Sequence, residues 1–480
     1  MKNTIVQKYR NTPIAAKAAF WFMISSFLQK GILALTTPVF ARLMSTEQYG
    51  QFTVYMSWAN ILMIIATLKL DDSVFNVGMS KFKDDRNSYV STMQIITIII
   101  SSVLLLFFFI FQSPISSFIG LPSELVCFMI IETYANSASY FWNRRKRYEY
   151  QYKQVLFKIV GMTLLNTILG IILVLISSDK GYARIVSCIS INLMFGIVIL
   201  IYNLSKGKGT FVPQYAQFAL LFNLPLIGHY LSIYILDQFD RIMIQKMVGF
   251  SAAALYGLAY HIGTILTLFT SSLNNALTPW LYGKLEKQEY KTIGKIIFYI
   301  VCITSVLAIC VSAIAPEIIV VFGGEKYREA MYVIPPIALG MVFKLVYMIF
   351  ASIEFFFEKN KAAMFMSGLA AVLDIILNYF GIKIFGYIAA AYTTLICYMI
   401  MYVLHYLYTM KCVTLHAKEK PNFRIMNINC ILIGTVVACI SFSFLYPYLI
   451  VRLTLVVALV AFLMLFRSRI VEVYRTFKSK

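Results

Sequence analysis

Charge is what this sequence has least of. Only 13% of its 480 residues are Asp, Glu, Lys or Arg, against about 25% in an average soluble domain, while 60% are hydrophobic. That balance excludes a soluble globular protein and points to an all-α integral membrane protein. Cysteine pairing is lacking too. The eight cysteines lie mostly inside or at the edges of apolar runs with no CxxC spacing, so neither a disulfide framework nor a metal site is indicated; they read as small buried hydrophobes. The chain has no GxxxxGK[ST], no HExxH and no Ser/His/Asp set that topology would gather. No connection between apolar runs exceeds about 25 residues, which leaves no room for a soluble catalytic domain. The expectation is a non-enzyme with no catalytic residues, metal site or bound cofactor.

What the sequence does have is apolar runs of about twenty residues or more, the length that crosses a bilayer as a helix. They fall near 14–43, 49–68, 90–112, 122–143, 154–177, 183–204, 214–243, 252–281, 293–322, 328–353, 362–383, 385–410, 427–446 and 448–466, which predicts fourteen transmembrane helices. The first carries Lys17 and Lys30 and lacks a cleavage site, so it is expected to stay in the protein. With the residues before it placed in the cytoplasm, 31 of the 42 Lys and Arg collect on the inner side, 9 on the outer side, and Lys30 and Lys344 lie deep in helices. This positive-inside bias predicts cytoplasmic termini. The formal net charge of +21 therefore reports topology rather than nucleic-acid binding. The run Arg144, Arg145, Lys146 and Arg147 reads as an inner-face determinant with affinity for anionic lipid headgroups.

The polar stretch "SKGKGT" (205–210) separates two sets of six helices, 1–204 and 211–410, followed by two more helices at 425–467. The sets share a weak internal likeness. "YGQFTVY" at 49–55 matches "YGLAYHI" at 256–262 at an offset of 207, and "KGYARIV" at 180–186 matches "FGYIAAA" at 385–391 at 205. Six is an even number, so the expected repeat is parallel, related by a pseudo-two-fold along the membrane normal. Adding 207 to Lys30 gives Asp237, which predicts matching charged positions facing one another between the halves, where transporters hold substrate.

Ionisable groups at membrane depth usually mark a bundle interior or a watery pathway. Here they are Lys30, Glu132, His229, Asp237, His261, Lys344, Asp374 and His405, with Arg42, Asp240, Arg241, Lys246 and Glu354 nearer helix ends. Asp237, Asp240 and Arg241 at i, i+3, i+4 would share one helical face, with an Asp240–Arg241 pair as the plain structural reading. Lys30 and Lys344 lie too deep to reach water by snorkelling. They read either as walls of an anion-accepting cavity or as partners of Glu132 or Asp237. His261 and His405 read as satisfied interior histidines. Asp374 and Asn378 suit either a coupling ion or hydrogen bonding between helices. Pro225 and Pro335-Pro336 are expected to kink their helices.

The stretches "FWFMISSFLQKGILALTTPVFARLMSTEQYGQF" (20–52), "DQFDRIMIQKMVGFSAAALYGLAY" (237–260), "LNNALTPWLYGKL" (273–285) and "DIILNYFGIKIFGYIAAAYTT" (374–394) resemble Wzx-type polysaccharide-transporter flippases. These belong to the superfamily of lipid II flippases and multidrug and toxin extruders. The resemblance covers nearly the whole chain and is weakest in the last two helices. It implies two six-helix lobes around a cationic cavity with alternating access. The implied substrate is an undecaprenyl-diphosphate-linked oligosaccharide repeat unit, flipped from the cytoplasmic to the outer leaflet of a bacterial inner membrane for surface polysaccharide. The bilayer and a polysaccharide polymerase machinery are the implied partners. Lys30, Arg42, Arg241 and Lys344 would be the cavity cations, with Asp237 and Asp240 as acidic departures that count among the substrate-binding residues. Coupling to protons or sodium would fall to Glu132, Asp237 or Asp374. The alternative is a cation-coupled multidrug exporter of the same superfamily.

Overall fold

In hydrocarbon a backbone must satisfy its own hydrogen bonds, so apolar runs of this length become helices. The computed structural model describes residues 12–416 and 421–465. Its helices are α1 (Ile14–Leu43), α2 (Thr46–Thr67), α3 (Ser73–Lys81), α4 (Arg86–Ile110), α5 (Gln112–Ile119), α6 (Ser123–Tyr148), α7 (Tyr152–Ile176), α8 (Lys180–Lys206) and α9 (Pro213–Tyr234). There follow α10 (Asp240–Met247), α11 (Phe250–Glu286), α12 (Tyr290–Ala313), α13 (Ala315–Gly323), α14 (Ile334–Phe356), α15 (Asn360–Phe385), α16 (Ala389–His416), α17 (Ile425–Phe444) and α18 (Leu449–Leu465).

Every expected span coincides with a helix. Among the described residues ten spans are long and apolar enough to cross a membrane, or eleven if α5 and α6, bent by 93°, count as one. The more polar α2 and α11, and the short apolar stretch of α18, fall outside that measure.

The turns have local causes. Ser45 and Gln48 form a reciprocal capping box that starts α2 two residues after α1 ends. Asp179 caps α8 through the Tyr182 amide at 3.0 Å. Gly249 takes φ 130° between α10 and α11, a backbone conformation that side chains disfavour. The basic run at the end of α6 is spent on its surroundings. Arg144 bonds Asp72 at 2.6 Å and the Asp71 carbonyl at 2.8 Å, Arg145 bonds Glu149 and Asn87 at 2.8 Å each, and Arg147 lies over the Phe22 ring.

The chain divides into two compact units, Met1–Leu231 and Ser232–Lys480. The start of α9 packs with the first: Tyr215 donates to Asp85 at 3.1 Å, stacks near Phe82 at 4.3 Å, and Asn223 donates to the Leu68 carbonyl. Within that unit α6 and α8 approach closely, because Gly196 faces Ala135 so tightly that a Cβ there would lie 2.3 Å from the Ala135 Cβ. In the second unit α14 is the core helix. Leu345, Val346, Ile349 and Phe350 are fully buried against α12, α16 and α17. Apolar side chains such as Phe157, Ile176 and Phe365 are exposed on the outer faces, as a lipid solvent permits.

Pro335 and Pro336 occupy the first turn of α14, where a missing amide costs nothing. Helix α9 runs through Pro225, and the break comes later, as a π-helical turn at Ile235–Phe239.

The α6–α8 contact makes a test. Gly196→Val inserts atoms where α6 backbone already lies, and overpacking of this kind costs about 1–3 kcal/mol. The variant is expected to melt earlier in detergent than wild type, whereas Gly161→Ala, where a Cβ meets nothing within 4 Å, should leave the melting temperature unchanged.

Candidate functional site

The π turn decides where the charges of the second unit go. An i→i+5 turn widens the helix by one residue and re-aims the side chains it carries. Asp237 lies within it and Asp240 follows it, so the two carboxylates meet different partners instead of lining one α-helical face. Asp237 Oδ1 receives Lys344 Nζ from α14 at 2.5 Å, the Tyr398 hydroxyl from α16 at 2.7 Å and the Tyr260 hydroxyl from α11 at 3.4 Å. Lys344 also lies over the Tyr398 ring. The depth that made Lys344 a candidate for an anion is here occupied by an ion pair, one of the two readings that its position allowed.

Arg241 does not pair with Asp240. It donates to the Gln238 side chain at 2.7 Å and to the Asp237 carbonyl at 3.1 Å, with its guanidinium 4.2 Å from the Tyr260 ring centroid. Asp240 is fully buried and accepts from Tyr256 Oη, from Asn378 Nδ2 at 2.9 Å and from Thr394 Oγ1 at 3.3 Å. Asp374, also fully buried, shares the last two donors, at 3.0 Å from Asn378 and 3.2 Å from Thr394. Asn378 is itself held by Thr393 through its side-chain oxygen. Two buried carboxylates thus share one amide and one hydroxyl, and no ammonium or guanidinium among the described residues bonds either. Like charges so placed require a proton or a cation to stay buried. Elsewhere in the same unit, His405 Nδ1 lies 3.0 Å from both oxygens of Glu354, and Thr409 donates to Glu354 at 3.3 Å. His405 is therefore an interior histidine, as its position suggested, but only half satisfied: Glu354 takes Nδ1, while Nε2 is buried with no hydrogen-bond partner among the described residues.

In the first unit the candidates lie apart. Lys30 is in the middle of α1 and exposed, with no hydrogen bond or ion pair among the described residues; Arg42 is exposed in the last turn of the same helix. Glu132 is buried in α6, where it accepts from Tyr55 at 2.9 Å, Asn136 at 3.1 Å and Asn192 at 2.5 Å. Among the described residues no ammonium or guanidinium bonds it.

Three buried cations escaped the sequence reading. Lys158 bonds the Ser139 carbonyl and Asn143, each at 3.3 Å, and lies over Trp142. Arg184 bonds Asn166 at 2.7 Å and Ser187 at 2.9 Å with the Phe40 ring 4.1 Å away. Arg452 makes a two-pronged pair with Glu317 at 2.7 and 2.9 Å. Each is near a helix end, where a long side chain is ordinarily credited with reaching water. The tyrosines of the second unit were missed as well, although Tyr256 and Tyr260 stand i, i+4 on α11 and so share a face.

Comparison with known proteins gives this geometry a family. Residues 15–284 match the polysaccharide biosynthesis protein family, and residues 225–380 match the MatE family. A relative from Haemophilus influenzae, Lsg locus putative protein 1, is 21% identical over 359 residues, covering 73% of this chain and 87% of its own length. An uncharacterized membrane protein of Methanocaldococcus jannaschii is 23% identical over 423 residues, covering 81% and 82%. Among solved structures, the lipid II flippase MurJ in an inward closed conformation superposes with a TM-score of 0.72 at 13% identity, covering 94% of this chain and 99% of MurJ. An inward-facing multidrug resistance MATE family transporter of the MOP superfamily gives a TM-score of 0.60 at 14% identity, covering 80% and 94%. These likenesses establish the fold, and the match over more than half of its length establishes that the chain belongs to the polysaccharide biosynthesis protein family.

Proposed function

We propose that this protein flips undecaprenyl-diphosphate-linked oligosaccharide repeat units from the cytoplasmic to the outer leaflet of a bacterial inner membrane by alternating access, without chemistry on the substrate. The observation that carries the reading is family membership over residues 15–284, in a chain whose fold is that of a lipid flippase. The diphosphate is the part of such a substrate that must meet fixed positive charge on leaving water. Lys30 suits that role, being exposed at mid-helix with its ammonium uncommitted among the described residues, and Arg42 is the other exposed cation of α1. In the second unit Lys344 is held by Asp237 until an anion competes for it, while Arg241 keeps the π turn in shape. Asp240 and Asp374, sharing Asn378 and Thr394, suit a coupling proton or sodium ion. The polyprenyl tail stays in lipid, and a polymerase on the outer side consumes the flipped unit.

A second reading, cation-coupled multidrug export, is favoured by one observation: residues 225–380, which carry the aspartates of the second unit, match the MatE family. Deleting the gene separates the two. Loss of surface polysaccharide with drug susceptibility unchanged supports flipping, and the reverse supports drug export.

Topology follows from the charge bias: fourteen crossings with both termini cytoplasmic. Reporter fusions at Lys208 and Lys326 are expected to report inside and outside respectively; the same side for both overturns it.

The cation roles separate by a stability measurement. Lys344→Ala leaves the half-buried Asp237 without its ammonium, so folded protein in the membrane should fall. Lys344→Ala with Asp237→Asn should restore it. Lys30→Ala, with no partner to orphan, is expected to leave protein level at wild type and abolish polysaccharide export. Wild-type export in Lys30→Ala refutes its role in holding the diphosphate.

For ion coupling, Asp374→Asn removes one of two carboxylates yet keeps a group that hydrogen-bonds Thr394. Export normalised to protein level is expected to drop at least tenfold and to lose its response to collapse of the proton or sodium gradient. Export that still follows the gradient in this variant places coupling elsewhere.

A further inference from the structure

Of the four basic residues that close α6, three have taken partners: Arg144 has Asp72, Arg145 has Glu149 and Asn87, and Arg147 has the Phe22 ring. Lys146 is not matched in the same way. It is 6% exposed, yet its ammonium makes one hydrogen bond, to the Gln151 side chain at 2.7 Å, and stands 3.9 Å from a Glu149 that Arg145 already meets at 2.8 Å. Lys158 of α7, 8% exposed, has the Ser139 carbonyl and Asn143, each at 3.3 Å, and no carboxylate among the described residues pairs with it. An ammonium carries three donors, so both lysines keep N–H groups unspent. Two buried positive charges thus share one carboxylate that is already taken.

Both ammoniums lie over the same ring. Lys158 Nζ is 5.2 Å and Lys146 Nζ 5.6 Å from the Trp142 centroid, and Lys146 Nζ is also 5.8 Å from that of Tyr202 on α8. Helix direction explains the meeting, because side chains lean toward the N-terminus of their own helix. Lys146, in the last turn of α6, leans back along that helix, whereas Lys158, near the start of α7, leans toward the same end of the unit. Lys206, exposed in the last turn of α8, lies over Tyr202 at 6.0 Å and adds a third cation at the rim. Trp142, Asn143 and Tyr202 are each half-buried, so the cluster can be reached between the three helices. Beside it α7 and α8 leave Phe157, Val198 and Ile201 exposed.

We propose that Lys146 and Lys158, with Trp142 between them and Lys206 at the rim, bind the phosphate of an anionic lipid headgroup where α6, α7 and α8 meet at one end of the first unit. The unspent N–H groups donate to the phosphate oxygens, charge-assisted bonds that offset the desolvation of both ammoniums. The acyl chains lie along the exposed apolar side chains of α7 and α8. Free phosphate would meet the same donors but makes no use of that flanking hydrocarbon surface, which favours the lipid. The charge bias of the chain places this end of the helices in the inner leaflet, where anionic headgroups collect in basic pockets between helices. The site is distinct from Lys30 and Arg42 on α1, so it stands whether or not the flippase reading holds.

The test is tryptophan quenching in the full-length protein, reconstituted into vesicles of phosphatidylcholine and phosphatidylglycerol with bromine near the head end of the acyl chains of one lipid or the other. Brominated phosphatidylglycerol is expected to quench more than brominated phosphatidylcholine at equal mole fraction, and the excess should vanish in Trp142→Phe, which removes the reporter and keeps a ring. Lys146→Gln with Lys158→Gln should cut the excess about fivefold or more, since both charged donors are lost, whereas Lys153→Gln, at an exposed lysine of the same α7, leaves it. High salt should leave most of it as well, because buried charges are little screened. Equal quenching by the two lipids overturns the proposal, as does an excess that survives in Trp142→Phe or in the double lysine variant, or one that high salt removes. Inorganic phosphate that displaces the brominated phosphatidylglycerol overturns the lipid as the source of the phosphate. Should the double lysine variant yield too little folded protein, the Trp142→Phe and salt comparisons decide.

Discussion

A charge buried in hydrocarbon must be neutralised where it sits, because neither water nor salt reaches it. That constraint explains why the second unit is built around a π turn. A regular helix through residues 235–239 would set Asp237, Asp240 and Arg241 along one stripe and leave two carboxylates competing for one set of partners. The widened turn separates them. Asp237 goes to Lys344 and Tyr398, and Asp240 to Asn378, Thr394 and Tyr256. Arg241 is left to bridge Gln238 and the Asp237 carbonyl. A half-buried pair such as Lys344–Asp237 contributes little net stability, since desolvation offsets much of the attraction. What it fixes is the position of α14 and α16 relative to the turn.

Much of this was legible in sequence, for identifiable reasons. Spans are legible because hydrocarbon leaves the backbone few alternatives, and each expected run is helical. The ionisable residues at depth are legible because they stand out against an apolar background; Asp237, Lys344, Asp374 and Glu132 were all visible as single letters. Their pairing was not. Lys344 is 107 residues from Asp237, and no periodicity carries information across that distance. Arg184 and Lys158 were lost to the assumption that a cation near a helix end reaches water. Proline gave no sign of the π turn, which comes ten residues after Pro225, at a stretch with neither proline nor glycine.

The two units meet the same constraint with opposite chemistry. In the first, buried cations are held by rings and neutral oxygens: Arg184 by Phe40, Asn166 and Ser187, and Lys158 by Trp142, Asn143 and a carbonyl. Its buried acid Glu132 is likewise held by neutral donors. In the second, acids outnumber bases around the π turn, and hydroxyl groups from three tyrosines supplement the single ammonium on Asp237 and the amide on Asp240. Charge that is matched by hydroxyls and amides, rather than by fixed opposite charge, stays free to change with its occupant. A site of strict ion pairs would resist an incoming proton or cation, because each partner would have to be released first.

Under the proposed function, that difference bears on how one chain would handle an anionic lipid while being driven by a cation gradient. An anion and a driving cation sharing one set of groups would screen each other, and the coupling free energy between them would shrink. On that proposal, placing the ammonium of Lys30, uncommitted among the described residues, on α1, and the acid pair Asp240–Asp374 on α10 and α15 of another compact unit, would keep the two binding events chemically distinct. Coupling then requires that each occupant favour one conformation over the other, through differential contacts rather than direct attraction. The π turn suits that task, because it carries Asp237, the partner of Lys344, and Asp240 directly follows it.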